Sequence, residues 1–439
     1  MSAATQSFNI ANPHALARIV DASNTRRIVA SQDIFDERGT KLWARNQPIS
    51  HSLHERLLER KLKQPLEACL RAEDGVTTVQ LCEALTSFLE SDHALAQAVQ
   101  PWALRLLDEV QRLPLHAAVE LLLTAAHATQ PRVFEHAVRG MALAGALQAS
   151  IDGDRFGLRV AMLGGLLHDI GEMYVNPQYL DGGQPLDVQG YRHLVTHPRT
   201  GELLLATMTD YPPALARAVG EHHERLDGNG YPMRRAGAAL SPLGRLLAVT
   251  EVVLAIANAP TAPLTRASLA LRMIPGEFDA VGAGFIADAA QRAGEDLDAL
   301  VQDRADGTCE QLARIDTVMT LAHERAASLA ERADASPLVR EVAARCASLL
   351  QRLRLGWNAM GLWSPSQGRD AALAEFELRM AGKELRYRLC SMQRDCLWQH
   401  PPLNEHDTRQ LQPLWDSLVA DAQASPSHSS LAPVKNMPV

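Results

Sequence analysis

The sequence is poor in aromatic residues, in basic charge and in long apolar runs, and each shortage excludes a class of protein. Aromatic residues make up 5% of the 439 residues, which disfavours a sheet-rich fold because strands favour aromatic and β-branched side chains. The formal net charge is −8, whereas a protein that binds a nucleic-acid polymer needs a basic face. No run of about 18 apolar residues occurs, so the sequence predicts no membrane span.

Cysteine is also scarce, and no two cysteines stand in a CxxC pair. In a chain of this length, scattered cysteines are typical of reduced thiols in a cytoplasmic protein. The first residues show no basic stretch followed by an apolar one, so we expect no signal peptide. The six cysteines are Cys69, Cys82, Cys309, Cys346, Cys390 and Cys396.

What the chain does contain favours helices. Hydrophobic residues make up 46% of the sequence, enough for a sizeable core, and alanine and leucine, both strong helix formers, abound. We therefore predict a mostly α fold, with a small N-terminal β-containing module and a C-terminal helical extension. The length allows two or three domains.

Composition and turn residues suggest how the chain is divided. The stretch "RRIVASQDIFDERGTKLWA" (26–44) predicts two short strands around the turn "DERG", either as part of an accessory module or as a hairpin packed on the helical body. The Ser/Pro-rich end predicts a disordered tail. The predicted segments are a flexible arm (1–25), a small β-containing accessory module (26–75), a helical linker region (76–125), a central helical domain (126–295), a C-terminal helical extension (296–423) and the tail (424–439).

The central domain carries a set of histidines and acids on its predicted helices. Turn residues such as "DGNGYP" separate the helices. We predict five helices, over 131–149, 155–169, 198–208, 212–224 and 242–258. Seven candidate metal ligands lie at their ends or along them: His136, His168, Asp169, His197, His222, His223 and Glu251.

Each candidate alone has a structural explanation. A single histidine such as His136 on an apolar helix is commonly a hydrogen-bonded core residue, and His197 before a proline can cap a helix. Glu251 within "LAVTEVVLAI" is different, because a carboxylate in an apolar run is costly unless it is paired or binds a metal. Together, imidazoles and carboxylates suit Fe, Mn, Zn, Ni or Co. Asp169 is the candidate to bridge two such ions, which in two-metal sites lie about 3.5–4 Å apart.

"HDIGE" (168–172) followed by "HHERLDGNGYP" (222–232) resembles the HD-GYP family of HD-domain phosphodiesterases. The resemblance covers about 125–290 and extends to the spacing of the candidate ligands. It implies an HD-GYP-like helical bundle that hydrolyses cyclic di-GMP through divalent transition metals, most often Fe or Mn. One metal would be held by His136, His168, Asp169 and Glu251, and the second by Asp169, His197, His222 and His223. Arg132 stands where some members have a glutamate for a third metal, so we expect two.

The resemblance also implies the groups that meet the substrate. The loop 227–232 would flank the site, where glycines permit a tight turn and a proline stiffens its exit. The expected catalytic residues are Asp169, Glu172 and Glu224, of which Glu224 is alternatively a group that orients the histidines. The expected substrate-binding residues are Asp227, Gly228, Gly230, Tyr231, Pro232 and Arg245.

The sequence departs from the family at three places. Glu172 replaces a lysine and reverses the charge, so it would repel phosphate, act as an extra ligand, or act as a general base. Glu251 replaces an aspartate and moves the carboxylate by about 1.5 Å. The stretch "LAIANAPTAP" (254–263) lacks the family's nucleotide-holding arginine and tyrosine, with Pro260 near the arginine position. Proline cannot replace the bidentate phosphate contact of arginine.

Three functions from different classes fit these residues. The favoured one is a metal-dependent phosphodiesterase acting on cyclic di-GMP or a related phosphoester. The second is a catalytically weak or inactive HD-GYP-like protein that binds metal or nucleotide as a signalling adaptor, with a partner protein or a second copy on its C-terminal helices. The third is a metal-free helical scaffold. Glu172 and the missing arginine favour the second, and the complete ligand set disfavours the third.

Overall fold

The described part of the chain is mostly helical, as predicted. The computed structural model describes residues 8–57, 60–180, 186–294, 308–360 and 369–419. The helices are α1 (Pro13–Ala22), α2 (His51–Leu57), α3 (Thr78–Leu89), α4 (Ala94–Val99), α5 (Ala103–Val110), α6 (Ala117–Thr129), α7 (Pro131–Ile151), α8 (Arg155–Leu167), α9 (Val188–Leu194), α10 (His197–Met208), α11 (Pro213–Glu221), α12 (Pro242–Ile256), α13 (Pro263–Arg272), α14 (Ala280–Ala293), α15 (Thr308–Glu331), α16 (Pro337–Ala359), α17 (Arg369–Leu397) and α18 (Glu405–Val419).

The described strands form two small antiparallel pairs near the N-terminus. Strand β2 (Ile34–Phe35) pairs with β3 (Lys41–Trp43), and Asp36 closes the turn between them by accepting the backbone N–H groups of Arg38 and Thr40. This pair is the hairpin that the "DERG" turn predicted. Strand β1 (Ile28–Ala30) instead pairs with β4 (Leu70–Ala72), more than 40 residues further on.

Helix α1 lies within the segment predicted to be a flexible arm, and for residues 13–22 that prediction is wrong. The side chain of Asn12 caps the helix by accepting the N–H groups of His14 and Ala15, and Pro13 starts the first turn with a suitable φ. Leu16, Ile19 and four further residues of this helix are buried. The helix is stable because its apolar face is covered, which local composition does not reveal. The predicted tail (424–439) lies outside the described residues.

By their internal contacts, the residues divide into two compact units. The first comprises 1–177 and 193–254, and the second comprises 178–192 and 255–439. This division does not coincide with the predicted boundaries at 126 and 295. The N-terminal β-containing module and all seven candidate ligands belong to the first unit.

The second unit is a helical bundle with its own core. Helices α15, α16, α17 and α18 bury residues such as Met319, Leu350, Trp357 and Leu385 against one another. Leu321 and Leu355 remain more than half exposed. Arg192 donates to the carbonyl groups at 397, 398 and 400, so the segment before α10 is fixed to the end of α17.

Two glycines set the distance between helices α7 and α8 in the first unit. A Cβ atom on Gly140 would lie 2.5 Å from the carbonyl oxygen of Gly165, and a Cβ on Gly165 would lie 2.5 Å from the carbonyl carbon of Gly140. Real side chains do not approach a backbone this closely. The two helices therefore touch backbone to backbone one turn away from His136 and His168.

The sequence predicted reduced cysteines and no membrane span. Among the described residues, none of the helices combines the length and apolar character that a membrane span needs. The five cysteines whose side chains are described carry free thiols, and Cys69, Cys346 and Cys396 are buried.

Candidate metal centre

Helix ends bring the seven candidate ligands together. His168 and His222 follow the last residues of α8 and α11, and His197 is the first residue of α10. His136 lies within α7 and Glu251 within α12. Asp169 and His223 come directly after the two helix-ending histidines.

These residues form two groups that share one carboxylate. Within each group, one ligand atom per residue lies within 4.8 Å of every other. Group one is His136, His168, Asp169 and Glu251, and group two is Asp169, His197, His222 and His223. The structure thus brings together the two sets that the resemblance implies, while the binding of metal to them stays a prediction.

The two oxygens of Asp169 face different groups. Oδ2 lies 3.3 Å from Nε2 of His136 and 3.1 Å from Nε2 of His168. Oδ1 lies 3.5 Å from Nε2 of His197 and 3.4 Å from Nε2 of His222. One carboxylate therefore has one oxygen for each group, which is the arrangement expected of a bridging ligand.

Backbone carbonyls orient three of the histidines in the same way. Nδ1 of His168, His197 and His222 lies 2.8, 2.7 and 2.6 Å from the carbonyl oxygen three residues earlier. Carbonyl oxygens in the last turn of a helix have no intrahelical partner, and they can only accept. In a neutral ring Nδ1 must therefore carry the proton, and the lone pair of Nε2 is then directed toward the centre. Metal-binding histidines are commonly oriented by such a hydrogen bond.

The arrangement fits a cation better than it fits a closed hydrogen-bond network. Nε2 of His136 and of His168 is buried without a hydrogen bond to any described residue. Nε2 of His197 and Nε2 of His222 lie 3.1 Å apart, so two lone pairs face each other. Buried polar atoms are usually satisfied. Divalent transition metals that accept imidazole and carboxylate ligands would satisfy these atoms.

Burial and neighbouring charge act oppositely on two of the histidines. Burial alone would lower the pKa of His168, but Asp169 and Glu251 beside it outweigh burial and raise the pKa to about 10. Burial dominates at His222 and lowers its pKa to about 4. The carboxylates of group one therefore favour a positive charge at His168, whereas the nearby imidazole of His222 favours the neutral form.

The loop 227–232 lies against group two. The ring of Tyr231 stacks on His223, with centroids 4.4 Å apart and planes 18° apart. Gly228 has a φ of +79°, which favours glycine. A Cβ on Gly230 would lie 2.5 Å from the backbone nitrogen of Arg225, so the loop touches the chain just after the two histidines. Asp227 accepts both the backbone and the side-chain N–H of Asn229.

The sequence that carries these ligands is similar to that of known proteins. Residues 120–277 match the family model described as an HD domain. A cyclic di-GMP phosphodiesterase of Pseudomonas aeruginosa is 28% identical over 202 residues, which are 46% of this chain and 47% of that protein. A 3′3′-cGAMP-specific phosphodiesterase of Vibrio cholerae is 37% identical over 101 residues, 23% of this chain and 21% of that protein. The cyclic di-GMP phosphodiesterase response regulator RpfG of Xanthomonas campestris is 31% identical over 103 residues, 23% and 27% of the two chains.

Residues 120–277 are an HD domain, and the named relatives support its membership of the HD-GYP family. The chain spans less than half the length of each of these curated relatives.

Glu172 of the HD-GYP domain is buried but belongs to neither ligand group. It lies in the 3-10 turn Ile170–Tyr174, and its backbone carbonyl accepts a hydrogen bond from Nη1 of Arg18 at 2.6 Å. Among the described residues, the groups whose ligand atoms converge do not include it. The structure thus gives no support to the extra-ligand alternative, and a role for Glu172 as a base stays a prediction.

Glu224 holds the GYP loop. Its two carboxylate oxygens accept the backbone N–H groups of Met233, at 2.7 Å, and of Arg235, at 3.0 Å. Burial raises the pKa of Glu224, although these hydrogen bonds and the nearby arginines oppose the rise. Both oxygens are therefore engaged with the chain that follows the loop, and the two roles that the sequence left open, proton transfer and orientation of the histidines, stay predictions.

Arg245 also contacts this loop region. Its Nε and Nη2 donate to the carbonyl oxygens of Leu240 and Gly237, at 3.2 and 3.0 Å. The guanidinium group thus holds the segment that leads into α12. The substrate-binding role predicted for Arg245, and for the loop residues themselves, stays a prediction.

Sequence reasoning missed Glu221, which organises the same region from the other side. Its carboxylate is fully buried and accepts from Arg217 and Arg235 through Oε1 and from the backbone and hydroxyl of Ser241 through Oε2. These hydrogen bonds lower the pKa of Glu221 although burial opposes them. Its only sequence signal is an acid next to His222.

Replacing Glu221 with glutamine is expected to lower the free energy of unfolding by about 2–3 kcal/mol, because a fully buried carboxylate loses its charge-assisted hydrogen bonds. Denaturant unfolding measures the change. Glu73→Gln is the matched control, since Glu73 also meets two arginines, Arg27 and Arg71, but at the surface. Surface pairs contribute at most about 1 kcal/mol. Equal losses in the two variants would show that the buried network has no special weight.

Proposed function

We propose that this chain is a metal-dependent phosphodiesterase that hydrolyses cyclic di-GMP or a related cyclic dinucleotide in bacterial second-messenger signalling. The observation that carries the proposal is the carboxylate of Asp169, with one oxygen facing each of two converging ligand groups. Two-metal sites of this kind are used for hydrolysis of phosphate esters.

The two groups would hold two divalent transition metals, with Fe or Mn expected first and Zn, Ni or Co as alternatives. When bound, such ions lower the pKa of water and neutralise charge on phosphoryl oxygens. The donor set is imidazole and carboxylate, without a thiolate, which suits these metals.

The residues of the chain contribute orientation around this centre. The backbone carbonyls behind His168, His197 and His222 fix each ring with Nε2 inward. Tyr231, stacked on His223, forms a wall beside group two. Glu224 keeps that wall in place by binding the backbone after the loop.

The names of the relatives support the substrate class. Two are described as cyclic di-GMP phosphodiesterases and one as specific for 3′3′-cGAMP, so the substance they share is a cyclic dinucleotide. We propose the same class here, in a cytoplasmic protein, in keeping with its free thiols. Binding of a partner protein or of a second copy to the C-terminal helices is also proposed, with Leu321 and Leu355 as exposed apolar positions.

A signalling adaptor that binds metal or nucleotide without turnover is the second candidate. It is favoured by the buried acid Glu172 on the turn that follows Asp169, because a negative charge there disfavours an approaching phosphate. The engagement of Arg245 with backbone carbonyls points the same way, since it leaves less of that guanidinium for a phosphate.

One experiment separates these candidates. Metal content is measured by elemental analysis of protein purified anaerobically, and hydrolysis of cyclic di-GMP and of 3′3′-cGAMP is followed on the same sample. We expect about two metal ions per chain, as a two-metal site requires, with conversion to linear product. Bound metal without hydrolysis of either nucleotide would favour the adaptor. Absence of metal would overturn both.

A further inference from the structure

Helix α1 and the β-containing module, together called the N-terminal module from here on, contact the turn that follows the ligands His168 and Asp169. Arg18 of helix α1 is 5% exposed, and its Nη1 donates to the carbonyl oxygen of Glu172 across 154 residues of sequence. Nη1 also lies 4.0 Å from the sulfur of Met173. One helical turn and a half earlier, Nδ2 of Asn12 donates to the carbonyl oxygen of Tyr174 at 3.2 Å.

A second buried contact fixes the same turn. The hydroxyl of Tyr174 donates to Oε1 of Glu67 at 2.7 Å, and Glu67 is 3% exposed. Burial raises the pKa of both groups, although the hydrogen bond from Tyr174 opposes the rise at Glu67. Arg18, Asn12 and Glu67 all belong to the N-terminal module, and all three hold the turn Ile170–Tyr174.

The opposite side of this turn rests against helix α10. A Cβ on Gly171 would lie 2.8 Å from the backbone nitrogen of Gly201 and still closer to the carbonyl oxygen of His197. The backbone N–H of Glu172 donates to the carbonyl oxygen of Asp169 at 2.8 Å. The turn is thus a rigid spacer: it joins Asp169 of both groups to His197 of group two, and the module sets its position.

Charge adds to the geometric argument. The guanidinium of Arg18 remains protonated in proteins and is buried beside a residue that carries a carboxylate. The side chain of Glu172 is buried, and Asp169 stands three residues before it, just ahead of this turn. Arg18 thus brings a positive charge to a turn that contains one acidic residue and directly follows another.

We infer that Arg18 is a positioning residue for the metal centre, through which the N-terminal module fixes the turn Ile170–Tyr174 and thereby the geometry of Asp169 and His197. The inference rests on the proposed metal-dependent function, but it concerns how the ligands are held. It makes the N-terminal module a structural part of the centre.

Three variants of the full-length chain test this assignment. Arg18→Met keeps most of the buried stem and removes the donors and the charge. Arg18→Lys restores a charge and one donor. Asn12→Ser keeps a helix-capping side chain and removes only the donor to Tyr174. The control is Arg38→Met, because Arg38 belongs to the same module and is exposed.

The readout is affinity for Mn²⁺ by competition with a chelator, well below the melting temperature, with the melting temperature recorded separately. We expect Arg18→Met to lower the affinity by about 10–100-fold, the effect of losing groups that orient metal ligands. We expect Asn12→Ser to lower it less, Arg18→Lys to recover most of it, and Arg38→Met to leave it unchanged.

The outcomes separate this inference from the proposed function. A lower melting temperature with unchanged Mn²⁺ affinity in both Arg18→Met and Asn12→Ser would overturn the positioning role and leave only a structural one. If Arg18→Met does not fold, Arg18→Lys and Asn12→Ser decide the matter in the same way. A wild-type chain that binds Mn²⁺ but hydrolyses no cyclic dinucleotide would overturn the proposed phosphodiesterase and not this inference, whereas a wild-type chain that binds no Mn²⁺ would overturn both.

Discussion

Replacing Asp169 with asparagine is expected to remove metal from both ligand groups and to lower the rate of cyclic dinucleotide hydrolysis by at least about 10³-fold. Asp169 is the one residue common to the two groups, and each of its oxygens faces a different set of histidines. Asparagine keeps the shape but loses the charge and one oxygen ligand. Metal ions contribute several kcal/mol to such reactions, and about 1.4 kcal/mol corresponds to a factor of ten.

Elemental analysis and turnover on the same sample measure both effects. His136→Asn is a useful comparison, because His136 belongs to group one alone and we expect it to reduce metal content by about one ion rather than two. Asp210→Asn is the control, since that carboxylate is exposed, pairs with His116 and belongs to neither group. If Asp169→Asn retained two ions, the carboxylate would not be a bridge.

Replacing Gly165 with alanine is expected to destabilise the protein by about 3 kcal/mol, the upper part of the range for overpacking. The new Cβ would overlap the carbonyl group of Gly140, and backbone atoms cannot rotate away as a side chain can. Helices α7 and α8 would have to separate, which moves His136 away from His168. Metal affinity at group one should therefore fall together with stability.

Denaturant unfolding and Mn²⁺ titration check the two parts of this prediction. Gly284→Ala is the matched control: Gly284 also lies within a helix, α14, but has no atom near the added Cβ. Alanine there should stabilise the protein by about 0.5–1 kcal/mol through helix propensity. A Gly165→Ala variant as stable as wild type would mean that the contact between the two helices is not tight.

The helices of the HD domain were predictable because their ends carry local chemistry. Pro131 starts α7 and Asp154 caps α8, where Asp154 accepts the N–H groups of Phe156 and Gly157. The predicted spans 131–149 and 242–258 differ from the observed ones by two residues, at their C-terminal ends. The candidate ligands could also be identified from the sequence, because charged and imidazole groups in apolar helices need a partner.

Contacts between distant parts of the chain were not predictable. The pairing of β1 with β4 and the hydrogen bond between Arg18 and Glu172 join residues that no periodicity relates. Helix α1 was predicted to be a flexible arm, because the contacts that bury its apolar face are made with distant parts of the chain. Gly140 and Gly165 are visible in the sequence, but the backbone contact between them, which brings α7 and α8 together, could not be predicted.

Glu221 and Glu224 also have roles that could not be predicted from the sequence. Both lie beside the histidines, yet the sequence pointed to Glu224 for chemistry and gave Glu221 no role. The structure has both carboxylates binding the chain that follows the GYP loop, one through backbone N–H groups and one through Arg235 and Ser241. A glutamate that holds a loop and a glutamate that transfers a proton look the same in a sequence, because the difference lies in what surrounds the carboxylate oxygens.

The path of the chain between Asp169 and His197 bears on how the protein can be divided. Residues 178–192 belong to the second compact unit, although the chain before and after them belongs to the first. Within the second unit, Tyr191 lies under the guanidinium of Arg394 and Arg192 binds the carbonyls at the end of α17. A fragment cut after residue 254 or 295 would keep all seven ligands and lose every one of these contacts. Tyr191 and Arg192 would then lose these contacts, so we expect the stretch that leads into His197 to be held less firmly in such a fragment than in the full chain.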